Sequence, residues 1–309
     1  FLALVFFSIS ITIHAKTIIH AGYLFNAENG TIEPQMSIVI DQDKITNVLE
    51  GYVNPEPDDI YLDLTGYYIL PGLIDMHVHL TNQSSRNAYL ERVTLNAADY
   101  AIRATKHAEN TLIAGFTTVR NLGDSDTVTI SLRNAIDNGT VIGPRIYSSG
   151  KTISTTGGHG DPSNSLNQKL TSDLGPKDGV MNGEEEAMES VRFRYKENAD
   201  LIKFTATGGV LSNAKDGQNP QMTLSEMKAI VSTAKDYGFK VAAHAHGAEG
   251  IKRAVLAGVD SIEHGTLMDN EGVALMRDRG VYYVPTLLAG KWVSDKALLE
   301  GYYPLFVEK

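Results

Sequence analysis

From about Lys16 to Leu64 apolar positions alternate with polar ones, as in MSIVI (36–40) and KITNVL (44–49), and the turn-forming tetrads AENG and DQDK divide the runs. Alternation at period two marks half-buried strands. Residues 16–68 are therefore expected to form a small antiparallel unit, the N-terminal half of a flanking β-sandwich. So thin a sheet needs a partner to bury its inner face. From Ile69 onward the rhythm changes. Short apolar runs recur: ILPGLIDMHVH, FTTVRNLG, RIYSSG, DLIKFTATGG, KVAAHAHG, SIEHG and VYYVPTL, with helical stretches between most of them. Four helices are legible, at Ala97–Ile113, Leu224–Tyr237 (capped by Thr223 or Ser225), Gly250–Ala257 and Asn270–Arg279. Each ends near a glycine, Gly115, Gly238, Gly258 or Gly280. Strands alternating with helices imply parallel pairing. The expected fold class is α/β, a (β/α)8 TIM-like barrel over residues 69–309, with seven strands countable and the eighth missing, so that the barrel is C-terminally incomplete. An open doubly wound sheet shares this pattern, but no glycine-rich dinucleotide turn follows the first strand. The polar, glycine-rich stretch from Gly157 to Gly183 is a loop, either disordered or functional.

Composition narrows the function. An apolar share of 42% over 309 residues is enough for a substantial core. The net charge of −10, from 37 acidic and 27 basic residues, argues against a nucleic-acid partner but leaves room for an anionic small substrate. Cysteine is absent, which removes disulfides, thiolate zinc sites and a cysteine nucleophile, and leaves histidine, carboxylate or a modified side chain as metal ligands. The opening FLALVFFSISITIHAK is too short to span a bilayer comfortably and has the length and end of a signal-peptide core. Residues 1–15 are thus expected to be the remnant of a signal peptide, with the mature chain beginning near Lys16. The protein would be exported, to a bacterial periplasm or beyond, with no stable membrane anchor after signal removal. A buried first strand is the alternative.

The polar residues with coordination chemistry sit at the ends of the apolar runs. His77 and His79 are two apart on the first expected barrel strand, so both rings face the same way and can share a metal. Alone, a His-x-His pair is as well explained by a half-exposed strand face. Lys203 is flanked by apolar residues on an inner strand, where an unpaired ammonium is costly. It either snorkels or pairs, or has its pKa lowered enough to take up carbon dioxide as an anionic carbamate. His244 and His246 close the next strand and His264 the one after. Asp75, on the face of His77, is placed to orient a ligand imidazole.

GYYILPGLIDMHVH, LIKFTATGGV, KVAAHAHGAEGIKRAVLAGVDSIEHG and VYYVPTL together resemble the amidohydrolase superfamily, in particular its Xaa-Pro dipeptidase-type and imidazolonepropionase-like metal-dependent members. The resemblance covers nearly all of the chain after Lys16, with the motifs in the family's order. It implies a barrel with a flanking sandwich and a binuclear centre of two divalent ions, commonly Zn2+. His77 and His79 would hold the more buried ion, N6-carboxylated Lys203 would bridge, and His244 and His264 would hold the second. His246 becomes a substrate-pocket residue, because the family's version of that strand puts the ligand first. His159, in TGGHGD, resembles a family histidine that polarises the substrate carbonyl; an ordinary loop histidine is the alternative. Tyr283 lines the pocket or packs in the barrel. His14, His20 and His107 are read as having no role in the site.

The function so implied is hydrolysis of a C–N amide bond, in a dipeptide or an N-acyl amino acid, by a bridging hydroxide. The substrate partner is thus a small-molecule amide, and homo-oligomerisation is left open. The family's acid/base aspartate closes an eighth strand, and it is absent from this chain, as expected of a fragment of a protein of roughly 400 residues. Ring opening of an imidazolone-like cyclic amide is the alternative activity. A non-catalytic metal-binding barrel is the further alternative if Lys309 is a true terminus.

Overall fold

The computed structural model describes residues 15–83, 87–210 and 216–299. All of the segment read as a leader except Ala15 lies outside them. The chain divides into two compact units, Phe1–Gly72 and Leu73–Lys309.

The first unit is one four-stranded sheet. Strands β1 (Thr17–Asn26), β2 (Thr31–Asp41), β3 (Lys44–Glu50) and β4 (Ile60–Ile69) lie in the order β3-β2-β1-β4. The first three pair antiparallel, as their alternation predicts, but β4 runs parallel to β1. The unit is therefore mixed rather than antiparallel. Ile18, Ala21, Met36, Ile38 and Val39 are its buried apolar residues. A shift in the β1–β4 register falls between Ala21 and Tyr23. Gly22 sits there because a Cβ would collide with the Thr65 carbonyl.

In the second unit each of the seven apolar runs becomes a parallel strand: β5 (Leu73–Val78), β6 (Phe116–Asn121), β7 (Arg145–Ser148), β10 (Ile202–Thr205), β11 (Val241–Gly247), β12 (Ser261–Leu267) and β13 (Tyr282–Val284). Hydrogen bonding groups them as β5-β6-β7 and β10-β11-β12-β13. The loop after β7 carries two short strands that the sequence pattern does not signal, β8 (Ser154–Thr155) and β9 (Val180–Met181), paired with each other. Just before β8, Ile153 bridges in parallel to Phe204 of β10, so the loop ties the two sheets together. Among the described residues no eighth parallel strand joins either sheet.

Strands and helices share two apolar clusters. Ile202, Phe204, Val241, Ala243 and Ile262 pack against Met227, Ile230 and Ala234 of helix α5 (Leu224–Asp236) and Ile251, Ala254 and Val255 of α6 (Ala248–Ala257). Val119 and Ile146 pack against Ala104 and Ala108 of α2 (Ala97–Ile113) and Val128 and Leu132 of α3 (Val128–Asp137). Burying a side chain of this size contributes about 1.5–3 kcal/mol. The opposite face of the strands is thereby left for polar groups: on β10, Ile202 and Phe204 join the core while Lys203 and Thr205 are buried on the other side. Among the described residues no helix is long and apolar enough to cross a membrane.

Candidate metal centre

Six histidines and one lysine converge on that inner face. His77 lies one residue before the end of β5, and the Nε2 atoms of His77 and His79 stand 3.3 Å apart. The His77 ring lies 4.9 Å from that of His264. His264 is 4.7 Å from His244 and 5.0 Å from His246, and His244 stacks on His159 at 4.2 Å. One nitrogen from each of His244, His246 and His264 lies within 4.8 Å of the others, a spacing one ion can bridge. The structure thus brings His246, read from the sequence as a pocket residue, as close to the metal-binding geometry as its two neighbours.

Four of the rings, those of His77, His244, His246 and His264, are held by their other nitrogen. His244 Nε2 meets the Gly208 carbonyl at 2.9 Å, His246 Nδ1 meets Thr266 Oγ1 at 2.9 Å, and His264 Nδ1 meets Thr286 Oγ1 at 2.7 Å. A carbonyl only accepts, so Nε2 of His244 carries the hydrogen and Nδ1 keeps the lone pair. His77 Nδ1 lies 2.9 Å from Glu263 Oε2, a carboxylate that is fully buried. Asp75, by contrast, accepts from the backbone N–H of His77 at 3.0 Å, so the ring is oriented by Glu263 and not by Asp75.

Glu263 and His264 are consecutive, yet both reach His77. Strand alternation would send them to opposite faces. The backbone of His264 is left-handed, with φ of 70°, and this swings its ring back toward the site. Left-handed geometry at a residue with a Cβ is costly and persists where its surroundings enforce it. Here Tyr283 Oη donates to the His264 carbonyl at 2.9 Å and Thr286 holds its ring. Tyr283 is half exposed, so it braces His264 through its hydroxyl while its ring faces solvent.

Electrostatically the site favours neutral nitrogen. Burial pushes the His77, His244 and His264 rings well below the ordinary histidine value, and the Lys203 charge pushes each the same way. His79 falls to about 4 for the same two causes. Burial also lowers His246. Lys203 itself, 3% exposed, is lowered to about 8 by burial against the opposing pull of Glu263. Neutral imidazoles with free lone pairs, beside an amine that loses its proton near physiological pH, are a donor set that fits borderline divalent ions such as zinc.

His159 sits in the loop after β8, its backbone N–H donating to Gln221 Oε1 at 2.8 Å. Its ring lies over Gly209, where a Cβ would stand inside contact distance of three ring atoms. Arg120 of β6 and Glu263 of β12 belong to no coordination motif. Their signal was present nonetheless, as opposite charges inside apolar parallel strands, where a charge is not buried unless paired. His107, on α2, donates to or accepts from no site residue; its Nδ1 meets the Leu80 carbonyl at 2.8 Å.

The amidohydrolase family profile matches residues 68–300. Ochratoxinase from Aspergillus niger is 30% identical over 289 residues, covering 87% of this chain and 58% of that protein. This chain thus spans little more than half the length of that relative. Among solved structures, a Xaa-Pro dipeptidase with methionine bound in its active site is 49% identical, with a TM-score of 0.90 over 95% of this chain and 72% of that one. A prolidase complexed with N-methylphosphonate-L-proline is 33% identical, with a TM-score of 0.86 over 96% and 72%.

Proposed function

The chain belongs to the amidohydrolase family, and on that premise we propose that it serves a metal-dependent hydrolase that cleaves an amide to release a C-terminal amino acid from a dipeptide or an N-acyl amino acid. The observation that carries this is the convergence of neutral, individually anchored histidine rings on Lys203 at the ends of parallel strands. In a closed (β/α)8 barrel that is the catalytic face. The seven parallel strands and the contacts of β5 and β6 side chains with β12 favour such a barrel.

In this reading His77 and His79 would hold one divalent ion and His244 and His264 the other, with His246 close enough to join the second. Above about pH 8 Lys203 is mostly a neutral amine. Its nitrogen can then add to carbon dioxide, forming an N–C bond and releasing a proton to solvent, to give an N6-carboxylate that would supply anionic oxygen ligands to the ions. Bound ions would polarise a substrate carbonyl and lower the pKa of bound water to roughly 7. His159, stacked against His244, donates to the carbonyl oxygen as charge builds on it. Glu263 is unsuited to shuttling protons, because both of its oxygens are engaged by Arg120, Ser261 and His77. That task is left to the eighth-strand aspartate that the sequence resemblance implies.

The choice of substrate is supported by the related structures, one holding methionine and one a phosphonate of proline. It is supported too by the leader-like composition of residues 1–15, which would place the enzyme among extracytoplasmic peptides. The test is a panel of dipeptides and N-acyl amino acids incubated with zinc-loaded protein that carries the eighth-strand aspartate, with the freed amino acid read by mass spectrometry. Turnover of imidazolone-like cyclic amides in place of these would transfer the reading to ring opening. Metal binding with no turnover of either class would leave a scaffold. Metal analysis should find about two ions per chain and fewer in Lys203→Ala. An unchanged count in that variant removes the carbamate.

A further inference from the structure

His77 is held by charged side chains from two other strands, Arg120 of β6 and Glu263 of β12. The Arg120 guanidinium donates through Nε to the Met76 carbonyl at 2.7 Å, fixing the backbone one residue before His77. Through Nη2 it reaches Glu263 Oε1 at 2.6 Å, and through Nη1 Ser261 Oγ at 3.1 Å. Ser261 Oγ donates to the same Glu263 oxygen at 2.6 Å. Only Oε2 of Glu263 is left for the His77 ring, at 2.9 Å from Nδ1. The guanidinium is nearly buried and the carboxylate fully so, with 12% and 0% of their side chains exposed.

A buried ion pair is a poor stabiliser, since the cost of desolvating two charges roughly cancels their attraction, and an apolar pair of similar volume often does as well. Its presence here needs another reason, and the geometry supplies one. We propose that Glu263, locked by Arg120 and Ser261, is a positioning residue that holds His77 as the Nδ1–H tautomer and so aims its Nε2 lone pair beside that of His79. This rests on reading His77 and His79 as ligands of one ion. A carboxylate whose other oxygen is already doubly engaged cannot rotate away, and it accepts but does not donate. The ring therefore has one orientation and one tautomer before any ion arrives. No other ring of the cluster has a charged partner of this kind among the bonds described above: His244 rests on a carbonyl, His246 and His264 on threonine hydroxyls, which accept or donate equally well.

The tautomer can be read without metal. In the EDTA-treated wild-type protein, long-range 15N–1H spectra of the imidazoles should show His77 as a single species with the proton on Nδ1. An Nε2–H form, or exchange between the two, overturns the proposal, whatever the fate of the metal reading. For function, Arg120→Gln/Glu263→Gln removes both charges together and keeps approximate volume, so that no buried charge is stranded. Stepwise zinc titration of this variant should show one ion weakened about 10- to 100-fold, the range for losing a partner of a ligating histidine, with the other ion unchanged. Equal weakening of both ions, or none, would assign the ion pair a structural role only. If the double variant fails to fold, Ser261→Ala, which frees one lone pair of Glu263, should retain the fold and show a smaller loss in the same one of the two ions.

Discussion

Lys203 is the residue whose burial is hardest to reconcile with stability alone. Lowering its pKa from 10.5 to about 8 corresponds to roughly 3 kcal/mol of disfavoured charge. Below pH 8 both folded and unfolded chains hold the proton, and the folded one bears that cost in full. Between 8 and 10.5 the folded protein has shed its proton while the unfolded chain still binds one, so stability rises with pH across that window. Chemical denaturation of the metal-free protein should show this rise, and Lys203→Met should flatten it and gain up to about 3 kcal/mol at pH 7. Identical pH profiles for the two proteins would mean that Lys203 is not buried as a cation. The role of His159 can be tested through the glycine beneath its ring. Gly209→Ala should displace its ring, lowering kcat/KM by on the order of 10²-fold while the zinc content stays the same; unaltered turnover would dissociate His159 from catalysis. That His77, His79, Lys203, His244 and His264 meet near strand ends could be anticipated because period two and strand ends are properties of sequence, whereas their roles as ligands rest on the resemblance. Glu263 stood out only as a charge inside an apolar strand and not as the partner of His77, since the turn of φ at His264 that lets neighbours share a face is braced by Tyr283 of β13 and by Thr286 just beyond it.

Helix α5 shows how far local chemistry carries at the scale of an element. Thr223 caps it in a reciprocal box: its Oγ1 accepts from the Glu226 N–H at 3.3 Å, and Glu226 Oε2 accepts from the Thr223 N–H at 2.8 Å. That pattern, with Gly238 after the last turn, made the helix legible in advance. Thr223→Ala should lower stability by about 1 kcal/mol, a drop in Tm of about 2–4 °C for a unit of this size, with metal affinity untouched. No drop in Tm would show that Glu226, whose other oxygen accepts from Gly183 N–H at 2.8 Å, anchors the helix without the threonine. Other elements left weaker traces. Helix α4 (Gly183–Lys196) begins with Glu184, Glu185 and Glu186 and ends with Arg194 and Lys196, charges that suit its dipole, but its apolar stripe is thin. Strands β8 and β9 are two residues each, too short for any period, and exist because Ser154 N–H finds the Gly179 carbonyl at 2.8 Å. The direction of β4 is likewise a matter of tertiary pairing, invisible in its own alternation.

The whole molecule concentrates basic nitrogen in the interior of a chain whose net charge is −10, and that arrangement makes its stability depend on acid. In the unfolded chain each histidine takes a proton near pH 6.5. In the folded protein burial holds His77, His244 and His264 well below that value, and His246 is lowered too. As pH falls below 6.5 the unfolded state therefore binds protons that the folded state refuses, and stability falls with it, by up to about 1.4 kcal/mol per pH unit for each fully buried ring. Divalent ions act on the same lone pairs. They bind only the neutral ring, so protons and metal compete, and the loaded protein should stay folded to lower pH than the stripped one until the ions leave. Thermal unfolding of zinc-loaded and EDTA-treated protein between pH 7.5 and 4.5 tests both statements. The stripped protein should lose Tm steadily below pH 6.5. The loaded one should keep a higher Tm and then converge on it as zinc is released. Parallel curves with a constant offset would place the bound zinc on groups other than these histidines, and a flat curve for the stripped protein would mean that the rings are solvated in the folded state.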